Sequence, residues 1–384
     1  MWKFYNKALD LYDFVIKMEE IIMANFGHGG NIKEISRKYN KDLKKLIDFS
    51  ANINPLGMPE ELKECINNHF CEIEKYPDIS YYELKESIKK YENENLKHSI
   101  VSRENIVLGN GAAEVIYSVV RAVNPKKTII MAPTFSEYEE AVLAVSGEVI
   151  LHYLKEEENF ILNESVLEKI DESIDMIFIC TPNNPTGALM SEKLLKKVLD
   201  KGQKTDTFVV VDESFLDFIK DGVSMIQFIN KYNNLIVIKS LTKFFALPGL
   251  RMGYGVCGNK ELCIKIEKMV PAWNINIFAD ICAQECLKNK KYISETIDFV
   301  EKERNYLYNE LKKVNYLKIY KPKVNFIFFR IEKDMDLKRK LLEKNILIRS
   351  CSNYHGLNER YFRIAVRTHE ENERILNELN LILK

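Results

Sequence analysis

The sequence lacks the features that would place it among membrane, disulfide-rich or clustered-metal proteins. Its 384 residues contain no apolar run that approaches the about 18 residues of a membrane-spanning helix. The eight cysteines form no C-x-x-C pair, and the six histidines are dispersed along the chain. Neither a disulfide framework nor a metal site is therefore expected. We predict a cytoplasmic protein with reduced thiols.

A net charge is also missing. Lys plus Arg and Asp plus Glu both number 56. A balanced chain has no global field that attracts nucleic acid or an anionic membrane, so any anion site must be local. No nucleic-acid or membrane partner is expected.

The N-terminal segment is unlike a signal peptide, because four acidic residues interrupt it: Asp10, Asp13, Glu19 and Glu20. Residues 3–22 carry apolar side chains at helical spacing. That pattern is compatible with a docking helix and equally with an upstream extension that ends before Met23.

Short apolar runs alternate with helical patterns between residues 105 and 260. The predicted strands are 106–108, 128–131, 176–180, 207–211, 235–239 and 252–257. The predicted helices are 112–123, 136–146, 191–203 and 259–269. Apolar strands that alternate with helices are typical of a doubly wound α/β domain with a mostly parallel sheet.

The last third of the sequence has a different, α+β pattern. Its predicted elements are a helix at 289–314, strands at 317–320, 325–331, 346–348 and 361–366, and a helix at 370–383. Residues 24–70 are predicted to carry loops and one helix. We expect residues 71–285 to form a large domain and residues 286–384 a smaller one, against which residues 1–70 pack.

A lysine that directly follows an apolar strand is the main chemical candidate. Lys243 lies between Ser240 and a pair of phenylalanines. Burial disfavours the charged form of an amine, and a neutral amine can condense with an aldehyde. Arg251 offers a fork of donors that matches a phosphate. A single lysine would more simply reach solvent from a strand end, but the ordered string around it favours a site.

Three further motifs end or follow predicted strands. Asp212 closes an apolar run, where a buried carboxylate needs a cationic partner; alone, it would more simply cap the next segment. Asn184 lies in a turn at 181–187 that could equally be an ordinary loop. The glycine-rich turn 109–111 opens a helix whose free N–H groups can hold a phosphate. Ligands of such sheets bind beyond the carboxyl ends of the strands.

These motifs, in this order along the chain, resemble the pyridoxal-phosphate (PLP) dependent aminotransferase family of fold type I. The resemblance extends from Phe26 to the end of the chain. It implies a large doubly wound domain, a smaller α+β domain, a homodimer, and PLP held as a Schiff base on Lys243. In this family Asp212 would pair with the pyridine nitrogen and Asn184 with the ring hydroxyl, while Phe135 would stack on the ring.

The resemblance also implies how the cofactor phosphate is held. Ser240, Arg251 and the backbone at Ala112 and Ala113 would bind it, and Tyr76 would reach it from a partner subunit. Many relatives carry a hydroxyl residue where this chain has Ala112 and Ala113, so only backbone contacts would remain there.

Flanking motifs narrow the resemblance to the decarboxylases that act on threonine phosphate in cobalamin biosynthesis. The motifs are His28-Gly29-Gly30-Asn31, the segment 48–57, residues 348–351 with Asn353 and Tyr354, and the segment 361–367. The substrate residues that this implies are Arg363 for the carboxylate, and Arg349, His28 and Asn52 for the phosphate.

The activity implied is decarboxylation of L-threonine O-3-phosphate to 1-aminopropan-2-ol O-2-phosphate. Action on O-phosphoserine is a close variant, because one methyl group discriminates by only about 1–3 kcal/mol. A histidinol-phosphate-type aminotransferase is the main alternative. Many aminotransferases place a tyrosine where this chain has Phe215. The phenylalanine fits poorly with strict transamination. A regulator without turnover is a further alternative, but residues 1–25 are too short for a DNA-binding helix-turn-helix.

Overall fold

The computed structural model describes residues 29–384, so His28 and the N-terminal helix predicted at 3–22 lie outside the described residues. The strands are β1 (Ile47–Asp48), β2 (Ile106–Gly109), β3 (Lys127–Ala132), β4 (Glu148–Tyr153), β5 (Met176–Cys180), β6 (Phe208–Asp212), β7 (Leu235–Ser240), β8 (Gly253–Cys257), β9 (Leu317–Ile319), β10 (Phe326–Ile331), β11 (Ile346–Leu347), β12 (Arg349–Ser350) and β13 (Tyr361–Ala365). The helices are α1 (Ile32–Lys38), α2 (Glu61–Asn68), α3 (Tyr82–Leu96), α4 (Ala112–Val123), α5 (Glu137–Ala144), α6 (Glu192–Lys204), α7 (Leu241–Phe244), α8 (Lys260–Glu267), α9 (Ile277–Lys288), α10 (Lys290–Leu311), α11 (Leu337–Glu343) and α12 (His369–Ile382).

A seven-stranded sheet in the order β2-β8-β7-β6-β5-β3-β4 forms the centre of the molecule. Strands β3 to β7 pair in parallel, and the apolar side chains of β3, β5, β6 and β7 are buried on both faces. On one face α4, α5 and α8 supply side chains such as Val119, Tyr138 and Leu262 to the core. On the other face α3, α6 and α9 supply side chains such as Ile88 and Val198. The predicted doubly wound α/β class is confirmed.

Strand β8 is the antiparallel member of this sheet, and it lies between β2 and β7. Because β8 runs against its neighbours, it begins at the edge of the sheet where β2 and β7 end. Residues just before β8, including Arg251, therefore lie beside residues that follow the other two strands. The reversal brings three distant parts of the chain together at one edge.

A second sheet in the C-terminal third has the order β12-β13-β10-β9 and is antiparallel throughout; we call it the C-terminal sheet. Helices α10 and α12 pack against it through a core that includes Leu307, Ile327 and Ile375. Phe49 belongs to the same core, and β1 pairs in parallel with β11. Residues 47–49 therefore pack with the C-terminal part, while the predicted boundaries at 70 and 285 remain predictions.

The structure corrects one local prediction and adds three strands that were not predicted, β1, β4 and β12. The predicted strand 346–348 is present as β11, which pairs with β1, and the separate short strand β12 follows it and pairs with β13. Residues 29–70 contain two α-helices, α1 and α2, rather than one. Strand β4 was not predicted; it pairs with β3 alone, and its side chains are mostly partly buried or exposed. An edge strand of this kind lacks the continuous apolar run that marked its neighbours.

Within residues 29–384, no helix is both long and apolar enough to cross a membrane. In the same part of the chain, no three His, Cys, Asp or Glu side chains gather in a way that could hold a metal ion. All eight cysteines lie in this part and are free thiols.

Gly253 allows the close packing of α4 on β8. A Cβ at this position would lie 2.4 Å from the backbone nitrogen of Ala112 and 2.8 Å from its Cα. We expect Gly253→Ala to lower the free energy of unfolding by about 1–3 kcal/mol, because the first turn of α4 must move. Urea denaturation would measure the effect. Gly249→Ala is the matched control, since an added Cβ there has no atom within 4 Å; equal effects of the two variants would refute the packing argument.

Candidate active site

A pocket lies at the edge of the large sheet where β2, β5, β6 and β7 end. Its lining includes nearly all the cofactor residues predicted from the sequence: Ala112, Ala113, Phe135, Asn184, Asp212, Ser240, Lys243 and Arg251. These residues come from six separate parts of the chain. The fold therefore brings together the residues predicted to bind the cofactor, except for Tyr76.

Lys243 lies in the short helix α7, which directly follows β7. Its Nζ is 3.4 Å from Ser240 Oγ and 5.3 Å from the centre of the Phe215 ring. Burial lowers the pKa of the Lys243 amine; the Asp212 carboxylate opposes this shift, and the Arg251 charge adds to it. A buried amine with a lowered pKa is suited to nucleophilic attack on an aldehyde.

Asp212 ends β6 with its carboxylate buried and doubly hydrogen-bonded. The backbone N–H of Ser214 donates to Oδ1 at 2.8 Å, and the Tyr138 hydroxyl donates to Oδ2 at 2.7 Å. Tyr138 is fully buried, stacked on Phe178 and edge-on to Phe135. These contacts hold the carboxylate in a single orientation toward the pocket.

Tyr138 is a site residue that the sequence analysis missed. It lies in the first turn of α5, far from Asp212 in sequence, and no local pattern distinguishes it from other tyrosines of the chain. The only available signal was its position just after the turn that contains Phe135.

The residues expected at the cofactor phosphate form a cradle of donors. Gly111 has φ +91°, and a Cβ there would lie 2.6 Å from Arg251 Nη2, so only glycine lets the turn approach this guanidinium. Helix α4 begins at Ala112, and its first N–H groups are available to an anion. The hydroxyls of Ser240 and Thr242 are 2.9 Å apart at the same end of the pocket. The donor set fits the phosphate of PLP.

Asn184 and Arg363 are in contact, although they come from opposite halves of the chain. Arg363 Nη1 donates to the side-chain oxygen of Asn184, and Nη2 donates to the Ser50 carbonyl at 2.9 Å. Asn52 is buried beside the same guanidinium, and its amide oxygen can accept from Arg363 Nε and Nη1 at 3.3 Å. Asn52 thus lies against the residue predicted for the carboxylate rather than against Arg349.

Arg349 lies in β12, directly opposite Arg363 in β13. Its Nη2 donates to Asn353 Oδ1 at 2.8 Å, and its guanidinium lies 5.4 Å from the centre of the Tyr354 ring. The Tyr354 hydroxyl in turn donates to Asn184 at 3.3 Å. Loop residues 353 and 354 therefore connect the two arginines to the PLP pocket.

Lys338 is a further cation near Arg349 that the sequence analysis did not single out. Both residues line one cavity together with Asn31 and Ser350. Burial lowers the pKa of the Lys338 amine, and the Arg349 charge adds to the shift. No sequence pattern distinguishes Lys338 from the other lysines of short helices in this chain.

Tyr76 lies outside the pocket of its own chain. Its side chain is 79% exposed, and the centre of its ring lies 4.6 Å from that of Trp273, with the two ring planes tilted by 33°. An exposed position is compatible with the predicted reach into a partner subunit.

The family model described as aminotransferase class I and II matches residues 44–379 of this chain. The chain belongs to this family. Its matched region includes β1 through most of α12, and so spans both the large sheet and the C-terminal sheet. As a member of the aminotransferase class I and II family, with a pocket whose donors fit the cofactor, the protein is a PLP-dependent enzyme.

Three relatives show how the chain compares within the family. The threonine-phosphate decarboxylase of Salmonella typhimurium is 35% identical, and the match covers 94% of this chain and 98% of that protein. A putative threonine-phosphate decarboxylase of Caldanaerobacter subterraneus subsp. tengcongensis is 38% identical, with coverage of 91% and 92%. The crystal structure of the histidinol-phosphate aminotransferase from Clostridium acetobutylicum has a TM-score of 0.82 at 34% identity, with coverage of 88% and 99%.

The hydrogen bond from Tyr138 to Asp212 gives a prediction about stability. We expect Tyr138→Phe to lower the free energy of unfolding of the PLP-free protein by about 1.5–3 kcal/mol, because a buried carboxylate loses one donor. Thermal and urea unfolding would measure it, and the visible spectrum of the PLP-loaded variant should shift. Tyr153→Phe is the control, because its side chain is exposed. An unchanged stability would show that the Asp212 carboxylate does not depend on the phenol.

Proposed function

We propose that this enzyme decarboxylates L-threonine O-3-phosphate, and that it releases CO2 and 1-aminopropan-2-ol O-2-phosphate for the side chain of cobalamin. The identity to two threonine-phosphate decarboxylases over more than nine-tenths of the chain supports this assignment. The residue roles given below are part of the proposal.

The observation that carries the proposal is the pairing of Arg349 with Arg363. The two arginines lie opposite each other on neighbouring antiparallel strands, where Cα atoms are about 4.5–5.5 Å apart. Among the described residues, neither guanidinium has a carboxylate within salt-bridge distance: Arg349 contacts Asn353, and Arg363 contacts Asn184 and Ser50. Two adjacent guanidinium groups without acidic partners suit a small ligand with two anionic groups, such as a carboxylate and a phosphate.

The buried arginine is the better partner for the carboxylate, because it also contacts Asn184 in the PLP pocket. Arg363 would hold the carboxylate close to the reacting carbon, and Arg349 would hold the phosphate. Binding energy at the phosphate can then fix the substrate rotamer in which the bond between the α carbon and the carboxylate is the one that breaks.

When bound, PLP supplies an electron sink for the charge left on the α carbon as CO2 departs. Asp212 would hold a proton on the pyridine nitrogen, and Tyr138 and Ser214 keep its carboxylate in place for that purpose. Lys243 would hold the cofactor through its buried amine, and the same amine would carry the proton that replaces CO2 on the α carbon. Phe215 and Phe135 line the pocket and help to exclude water.

A histidinol-phosphate aminotransferase is the second candidate, and the similarity to the Clostridium acetobutylicum structure favours it. Histidinol phosphate is an amino alcohol without a carboxylate, so it would use one of the two arginines, whereas its co-substrate 2-oxoglutarate has two carboxylates and would use both. O-Phosphoserine carries both anionic groups and is a closer competitor.

We propose that the enzyme is a cytoplasmic homodimer. Residues 70–82 expose a series of large apolar side chains, which would be covered by a second subunit: Phe70, Ile73, Tyr76, Ile79 and Tyr82. Tyr76 could then approach the partner's cofactor phosphate. The free thiols of all eight cysteines suit a reducing compartment.

Product analysis with three substrates tests the proposed activity. The PLP-loaded protein is incubated separately with phosphothreonine, with phosphoserine, and with histidinol phosphate plus 2-oxoglutarate. We expect CO2 and an amino alcohol phosphate from phosphothreonine, without accumulation of pyridoxamine phosphate. Glutamate formation from 2-oxoglutarate, without CO2 release, would instead identify the aminotransferase. Lys243→Ala is the control and should lose both the visible absorption band and turnover.

The assignment of Arg349 to the substrate phosphate is tested by two substitutions. We expect Arg349→Ala to weaken transition-state stabilisation by about 1.5–3 kcal/mol for each charged hydrogen bond lost. The kcat/KM for phosphothreonine should therefore fall at least tenfold. Arg349→Lys should recover only part of the loss, because a lysine cannot bind a phosphate bidentately. Steady-state CO2 release measures both variants. A wild-type kcat/KM for Arg349→Ala would mean that the phosphate binds elsewhere.

A further inference from the structure

One carboxylate connects the large sheet with the C-terminal sheet. Glu156 lies in a short turn just after β4, and four side chains of the C-terminal third donate to it. The donors are Lys318 at 2.7 Å, Tyr320 at 2.5 Å, Arg330 at 2.8 Å and Tyr361 at 2.7 Å. Burial would raise the pKa of Glu156, but the hydrogen bonds from Lys318, Tyr320 and Tyr361 and the Arg330 charge lower it to about 2. The carboxylate is therefore charged at any pH at which the enzyme would be assayed.

Three of these donors form one row across the C-terminal sheet. Lys318 of β9 is opposite Arg330 of β10, and Arg330 is opposite Tyr361 of β13. Directly opposed residues point to the same face of a sheet. Glu156 therefore contacts the central row of this face rather than a single strand.

The adjacent row on the same face carries both arginines of the proposed substrate site. Arg363 lies opposite Phe328 on one side and Arg349 on the other. Alternate residues of a strand share a face and are about 7 Å apart. Tyr361, which donates to Glu156, and Arg363 are alternate residues of β13. The row held by Glu156 is thus the immediate neighbour of the row that would bind substrate.

Aromatic packing next to the turn reinforces this connection. Phe160 is buried, and its ring lies edge-on to Tyr320 at 5.3 Å, to Phe328 at 5.6 Å and to Tyr361 at 6.1 Å. Residues 156–160 therefore contact both rows. Glu156 contacts the row of Arg330 through charged hydrogen bonds, and Phe160 contacts Phe328 in the row of Arg363 through aromatic packing.

We infer that Glu156 is a positioning residue for substrate binding: it fixes the row Lys318-Arg330-Tyr361, and thereby holds Arg363 and Arg349 at the right distance from the PLP pocket. PLP binds to the large sheet, whereas both arginines belong to the C-terminal sheet. The distance between the two depends on contacts such as this one. The inference rests on the proposed function, because it takes the two arginines as the anion-binding groups.

The test compares Glu156→Gln with Glu157→Gln, a substitution of the exposed neighbour in the same turn. We expect Glu156→Gln to raise KM for phosphothreonine by about tenfold, since the four donors lose a charged acceptor. It should weaken the binding of inorganic phosphate to the PLP-loaded protein, measured by calorimetry, by a similar factor. The affinity for PLP should stay within twofold of wild type, because the cofactor residues lie on the large sheet. Glu157→Gln should match wild type throughout.

A second variant keeps the test decisive if Glu156→Gln folds poorly. Tyr361→Phe retains the ring that packs on Phe160 and removes one hydroxyl donor, and it should raise KM and weaken phosphate binding by a smaller factor. A parallel loss of PLP affinity and of the folded state in both variants would reduce Glu156 to a structural role and overturn the inference. An unchanged KM for phosphothreonine together with an unchanged phosphate affinity in Glu156→Gln would also overturn the inference.

The two proposals fail in different ways. Absence of CO2 release by the wild-type enzyme would overturn the proposed function. The phosphate titration would still be informative in that case, because it needs no turnover.

Discussion

The amine of Lys243 must stay buried and reactive beside a carboxylate that attracts positive charge. In this structure the burial of the amine lowers its pKa, while the Asp212 carboxylate opposes that effect. The balance is possible because Asp212 is already satisfied by Tyr138 and by the backbone of Ser214. The antiparallel course of β8 then brings Arg251 to the same edge, where it contributes a third charge. Much of the large sheet's architecture can be understood as the support for these three charged groups.

The parts of the fold that the sequence predicted well are those that depend on local pattern. Strand β6 is one example, since its run of valines can only be buried between two layers of helices. Asp212 ends such a strand, and Lys243 and Asn184 follow one, so the parallel arrangement of the strands predicted that the three would lie at one edge. Strand β4 was not predicted, because an edge strand with partly exposed side chains has no continuous apolar run.

Residues whose importance comes from tertiary contact could not be found in this way. Tyr138 donates to a carboxylate 74 positions away, and Glu156 accepts from residues that follow it by 162 to 205 positions. No motif surrounds either residue. Arg349 was predicted from a resemblance, but its place directly opposite Arg363 needed the strand register. Asn52 is predicted to contact the phosphate, and its side chain lies beside Arg363, a contact that no local pattern indicated.

The register of β13 has a consequence for how this enzyme can vary. Tyr361 and Arg363 share a face only because one residue separates them, and loss or gain of a single residue within the strand would turn one of them toward the opposite core. A single substitution in β13 changes one side chain and leaves the others in place. A change in the length of the strand would instead displace Arg363 or the Tyr361 contact to Glu156 from this face. The strand itself should therefore keep a constant length.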